Sequence, residues 1–199
     1  MHQRWAQYAM TTLKDFEKEI RERENLLKNI LLHKRDYEFL STPGSAGLIR
    51  FFSKRPIFAR SRDAIFKLLC IEVHKLFSDL KSDDFKWTQL LDKIKKHRKH
   101  ADWKGQLSKE DIKRISKLIN EGLKNKSIKG LRDYRNKYLA HTDKDRTDAT
   151  FFIVQFYRLI EISLELINLL RTKILSEQFP LEMYISADGF DEIRNLVTD

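Results

Sequence analysis

Residues 148–177 read DATFFIVQFYRLIEISLELINLLRTKILSE, and their reading decides the fold class. Phe152, Phe156, Leu159, Ile162, Leu166, Leu169, Leu170 and Ile174 recur three or four residues apart, the interval that stacks side chains on one face of an α-helix. Asp148 stands where an N-cap is wanted. The apolar face is broad, which marks the central helix of a bundle or a face shared by two chains.

The same period runs outward through the chain. Only 6 Gly and 3 Pro occur in 199 residues, and Pro43, Pro56 and Pro180 all fall between candidate helices. No alternating run of β-branched residues is long enough to argue for a strand, so an all-α helical bundle is expected. Ser61 or Asp63 can cap a helix to about Leu80, with Ile65, Phe66, Leu69, Val73, Leu76 and Phe77 on one wide face. A shorter helix follows over about Lys86 to Lys99. Ser108 and Asp111 form a capping-box variant ahead of Ile112, Ile115, Leu118 and Ile119. Ser127 caps the next helix, which turns Ile128, Leu131 and Leu139 inward.

Towards the N-terminus, Trp5, Ala9, Leu13, Phe16, Ile20, Leu27, Ile30 and Tyr37 define one long amphipathic helix. Arg23 and Lys34 interrupt its stripe, leaving open whether it packs into the core or projects as a dimer arm. The expected organisation is a long first helix over residues 1–40, a linker over 41–60, a helical bundle over 61–178 and an acidic tail over 179–199, together one compact domain. The linker and the residues just after it interleave Arg50, Lys54, Arg55, Arg60 and Arg62 with Phe51, Phe52 and Phe58. The cations are candidate RNA contacts, while the phenylalanines read more readily as core anchors than as base-stacking platforms.

Composition narrows the function. Hydrophobic content of 41% and 13 Phe exclude a disordered chain. No apolar run reaches the roughly 18 residues that span a bilayer, and no signal-peptide core is legible, so a cytoplasmic protein with no membrane partner is expected. Cys70, the one cysteine, sits in an apolar run and reads as a small core residue. His97 and His100 have no further ligand at zinc spacing. Neither a metal nor a cofactor is expected. The net charge of +10 is uneven: residues 51–150 carry +12 and residues 151–199 carry −4. Such a basic field suits RNA or another polyanion, and also an acidic protein surface.

That basic middle contains residues 131–143, LRDYRNKYLAHTD. Arg135 keeps its charge at any physiological pH and can fork onto phosphate oxygens, and His141 can move a proton near pH 7. Together they have the means to handle a phosphodiester without a metal. Being six apart, they are separated by roughly 120° around an ideal helix. Either the helix ends before His141, or a second copy of the chain completes the site across a twofold axis.

The run Tyr134-Arg135-Asn136-Lys137-Tyr138-Leu139-Ala140-His141-Thr142-Asp143 resembles the signature of the HEPN superfamily, and within it the abortive-infection branch. More loosely, Arg62 through Lys95 resembles the central helices of that family. The resemblance implies a helical bundle that dimerises with its motifs facing each other, and a metal-independent endoribonuclease serving as a toxin or phage-defence effector. Arg135, Asn136 and His141 would be catalytic, with Arg132, Asp133, Tyr138 and Asp143 in support. The partners it implies are RNA, a second copy of the chain and, as is usual in that branch, a neighbouring antitoxin protein. Two other readings stay open: a non-catalytic module binding RNA, nucleotide or protein, and a structural dimerisation protein built on the long first helix.

Overall fold

A stripe of Phe16, Ile20, Leu27 and Ile30 runs down the first helix, α1 (Leu13–Ser41), and each of these side chains is buried. In the computed structural model, which describes residues 13–78, 84–97, 107–140 and 153–178, this helix is the longest of the described elements. It is followed by α2 (Ala46–Ser53), α3 (Pro56–Phe77), α4 (Trp87–His97), α5 (Lys109–Leu123), α6 (Ser127–Ala140) and α7 (Ile153–Leu170), which runs on into a π-helical turn over Arg171–Leu175. No strand occurs among the described residues. The protein is all-α.

The main core lies between α1, α3, α5 and α7. The periodic face read from the sequence of α7 is the buried one: Phe156, Leu159, Ile162 and Leu166 are fully covered. Each such side chain contributes about 1.5–3 kcal/mol over leaving it in water. Trp87 opens α4 inside this core and donates its indole N–H to Ser163 Oγ at 3.2 Å, so a large ring is buried without stranding its one polar atom. Gly122 on α5 faces the ring edge of Phe77 so closely that a Cβ would overlap it. The expected capping box is present: Asp111 N donates to Ser108 Oγ at 3.0 Å, and Ser108 N donates to Asp111 Oδ2 at 2.9 Å. At the start of α6 the cap is Asn125 rather than Ser127, because Asn125 Oδ1 accepts from Ser127 N at 2.8 Å.

Arg23, read as a break in the stripe, is instead 1% exposed. Its guanidinium donates to the carbonyls of Asp84 and Lys86 at 3.0 and 3.1 Å and to Glu19 O at 3.0 Å. It ties the approach to α4 onto α1. Its neighbour Glu24, 2% exposed, accepts from Arg171 at 2.5 Å and from Lys28 at 2.9 Å. Burial works against ionisation of Glu24, but the hydrogen bonds from Lys28 and Arg171 outweigh it and hold the carboxyl below its usual range.

The segment 41–60, expected as a linker, holds α2 and the first turn of α3. Phe39, Leu48 and Phe52 form a small core of their own, with Phe51 and Phe58 against it. Pro56 occupies the first turn of α3, where its missing N–H costs nothing. The break seen in the sequence is thus a helical hairpin.

Two substitutions test this core by urea unfolding. Glu24→Ala removes the buried carboxylate of Arg171, which keeps only the more exposed Glu177, and is expected to cost about 3 kcal/mol; a loss under 1 kcal/mol would mean the pair is not desolvated. Gly122→Ala gains about 1 kcal/mol of helix propensity yet is expected to be net destabilising by about 1–2 kcal/mol, since the buried Phe77 ring must move.

Candidate functional site

Helix α6 is anchored by one narrow face. Ile128 and Leu131 are buried in the main core, and Tyr134, three residues on, packs half-buried against it. Tyr134 meets Phe66 of α3 edge to face, with ring centroids 5.8 Å apart and an interplanar angle of 77°. Phe66 also touches Tyr37 of α1 at 4.9 Å and Phe156 of α7 at 6.2 Å. Four helices therefore meet on one phenylalanine ring, directly beneath the motif.

The polar residues of the motif occupy the rim of that contact. Arg132 and Arg135 are half-buried, Asp133 and Asn136 exposed. Arg135 donates from Nε and Nη2 to Asn136 Oδ1 at 3.3 and 2.9 Å. Asn136 thus steers the arginine. The structure brings Arg132, Asp133, Arg135 and Asn136 together on one helix; Tyr138 lies on the same helix, and His141 and Asp143 fall outside the described residues. Of the five cations expected to contact RNA, Arg50, Lys54, Arg55 and Arg60 are exposed and Arg62 is half-buried and paired with Asp63 at 3.1 Å. The phenylalanines interleaved with them are committed to packing, Phe52 and Phe58 at 4.6 Å and Phe51 under the Arg55 guanidinium at 3.8 Å. Base stacking on those rings is not available.

Beside the aromatic junction lies a set of ionisable groups that the periodicity alone did not single out. His33 Nδ1 of α1 pairs with Glu72 Oε2 of α3 at 2.8 Å, and that hydrogen bond, against the opposing effect of burial, raises the imidazole pKa above its ordinary value. Lys34 reaches both oxygens of Glu38 at 2.8 and 2.9 Å and lies 4.7 Å over the ring of Tyr157 on α7. Burial, reinforced by Glu38, pushes the Tyr157 hydroxyl pKa up. A signal existed in the sequence: His33 and Glu72 both fall at stripe spacing, where a polar residue needs a partner. Cys70 is fully buried and burial pushes its thiol pKa up, which makes it inert as a nucleophile. His74 is likewise a core residue. Among the described residues no group of three or more His, Cys, Asp or Glu side chains could hold a metal ion, and no helix is long and apolar enough to cross a membrane.

A protein-family model, HEPN_AbiU2, described as AbiU2, matches residues 14–184 of the chain. No curated protein and no solved structure matches it.

The His33–Glu72 pair gives the helix junction a pH dependence of definite sign. A raised imidazole pKa contributes stability that is fully present below the ordinary value near 6.5 and is lost as pH rises through the raised pKa. His33→Ala is expected to lower stability by about 1–2 kcal/mol near pH 5.5 and by clearly less near pH 9. Equal losses at both pH values in urea titrations would refute a charged pair.

Proposed function

The chain belongs to the HEPN AbiU2 family, an abortive-infection HEPN module, and from that premise we propose that it is a metal-independent endoribonuclease acting as a toxin or phage-defence effector. The observation that carries the reading is the fixed direction of Arg135. Its helix is pinned from below by Leu131 and Tyr134, and its guanidinium is held from the side by Asn136. A phosphate at the rim of α6 would meet a cation whose orientation is set before binding, the arrangement that stabilises charge developing on a phosphorane.

In the proposed reaction the ribose 2′-oxygen attacks the adjacent phosphorus as its proton leaves to a base, the P–O5′ bond breaks, and the departing 5′-oxygen takes up a proton. The products are a 2′,3′-cyclic phosphate and a 5′-hydroxyl. His141 is the proton carrier of this scheme and Arg135 the phosphorane contact. Asn136 positions Arg135; Arg132 adds positive potential, and Asp133, Tyr138 and Asp143 are supporting residues. Arg62 is the linker cation nearest the site along α3, one helical turn from Phe66. The proposed assembly is a homodimer in which both copies supply residues to one cleft, as the family resemblance implies. An acidic antitoxin protein would find the same basic cleft complementary.

Incubation of the purified protein with mixed-sequence RNA in EDTA tests this. Wild type is expected to yield cyclic-phosphate ends, with Arg135→Ala and His141→Ala each slower by about 100-fold or more at unchanged helicity. Asn136→Ala is expected to slow cleavage by about tenfold, since it loosens Arg135 without removing it. Unchanged cleavage in His141→Ala overturns the assignment. Salt-sensitive RNA binding with no cleavage by wild type would make the chain a binding module, with Arg135 as a phosphate contact.

A further inference from the structure

The hairpin formed by α2 and the start of α3 has a surface chemistry of its own. From Phe39 to Arg62 the sequence contains no acidic residue, and Arg50, Lys54, Arg55 and Arg60 are all exposed there. Among these cations Ile49 and Ile57 stand 56% and 58% exposed. Their exposure does not come from a missing core. The adjacent residues Leu48 and Phe58 turn into the satellite cluster of Phe39 and Phe52, so the hairpin is amphipathic inwards and presents branched aliphatic side chains outwards.

Aliphatic side chains discriminate between polyanions. RNA offers phosphates to cations and base faces to aromatic rings, but nothing that matches an isoleucine. The aromatic rings of this hairpin are occupied by one another and by Arg55. The interface of an anionic bilayer supplies both complements, headgroup charge for the cations and the acyl boundary for the isoleucines. We propose that the α2–α3 hairpin docks the protein peripherally onto an anionic lipid surface, Ile49 and Ile57 entering the headgroup region while Arg50, Lys54, Arg55 and Arg60 contact lipid phosphates.

The absence of a spanning run, which suggested no membrane partner, does not bear on this, because surface docking needs none. The inference is independent of the ribonuclease reading. Pro56, at the hairpin's turn, lies ten residues or about 15 Å along α3 from Phe66, which carries the motif helix. The anchor is reversible: two isoleucines bury far less than an acyl chain, and most of the affinity is electrostatic.

Co-sedimentation of the full chain with vesicles tests it. At physiological salt the protein is expected to pellet with phosphatidylcholine vesicles containing phosphatidylglycerol and to stay in solution with phosphatidylcholine alone. The triple variant Arg50→Gln, Lys54→Gln, Arg60→Gln is expected to bind the mixed vesicles about 100-fold more weakly, at about fivefold per cation. The double variant Ile49→Ser, Ile57→Ser is expected to bind about tenfold more weakly. All five side chains are exposed, and circular dichroism checks that both variants keep the helical fold. Failure of wild type to bind mixed vesicles overturns the proposal. So does undiminished binding by the isoleucine variant, which would leave a generic polyanion contact of the kind RNA or an acidic peptide makes.

Discussion

Two adjacent residues of opposite charge, Arg23 and Glu24, are taken out of water together, and the rest of the architecture depends on where their partners stand. A buried ion without a full set of hydrogen bonds costs several kcal/mol, so each fixes the chain segments that serve it. Arg23 holds the carbonyls of Asp84 and Lys86, which sets the point at which α4 enters with Trp87. Glu24 holds Arg171 at the other end of the molecule's sequence, and Arg171 and Arg21 share Glu177 at 2.8 and 2.6 Å. The π-helical turn follows from this demand. Its wider loop closes with Glu177 N donating to Arg171 O at 3.2 Å, helped by Ser176 in the left-handed region at φ 57°, and so brings both ends of the turn onto α1.

With α1 fixed at its first half, its second half can serve as a platform. Residues 32–38 are all partly covered, because α3 and α7 approach this stretch with polar as well as apolar contacts. His33 to Glu72 and Lys34 to Glu38 under Tyr157 surround the junction where Tyr37, Phe66, Tyr134 and Phe156 meet. Among the described side chains of α6, Ile128, Leu131 and Tyr134 rest on it, while Arg132 and Arg135 are half-buried and Asn136 is exposed.

How much of this was legible in the sequence depended on whether the information was local. The buried face of α7 and the Ser108–Asp111 box follow from spacing within one element and are present, whereas α3 starts at Pro56, before the caps expected at Ser61 or Asp63, and the expected cap Asp148 lies outside the described residues. Arg23 was misread because a cation on an apolar stripe carries no mark of carbonyl partners some sixty residues away. His33 and Glu72 show stripe spacing, but nothing local names each as the partner of the other, 39 residues apart. The 41–60 segment looked like a linker because Pro43, Gly44 and Gly47 cluster at its start, yet Ser45 N-caps α2, its Oγ accepting from Leu48 N at 3.2 Å, and six apolar side chains are enough for a satellite core. For the site, the sequence identified Arg135 and Asn136 but not their mutual bond, which depends on side-chain conformation.

That bond changes what the motif arginine can contribute. A flexible arginine on a helix surface loses about 2 kcal/mol of rotamer freedom when it clamps a phosphate. The amide oxygen of Asn136 accepts from Nε and one terminal nitrogen of Arg135, an exposed contact that biases the guanidinium towards one orientation. The effect requires a rigid base, because an orientation fixed relative to α6 is useful only if α6 is fixed relative to the core. Leu131 and Tyr134 meet that requirement through Phe66. A path of contacts therefore runs from the buried charges of α1 through the packed helices to the α6 surface, and Phe66, beneath Tyr134, helps fix the helix that carries Arg135.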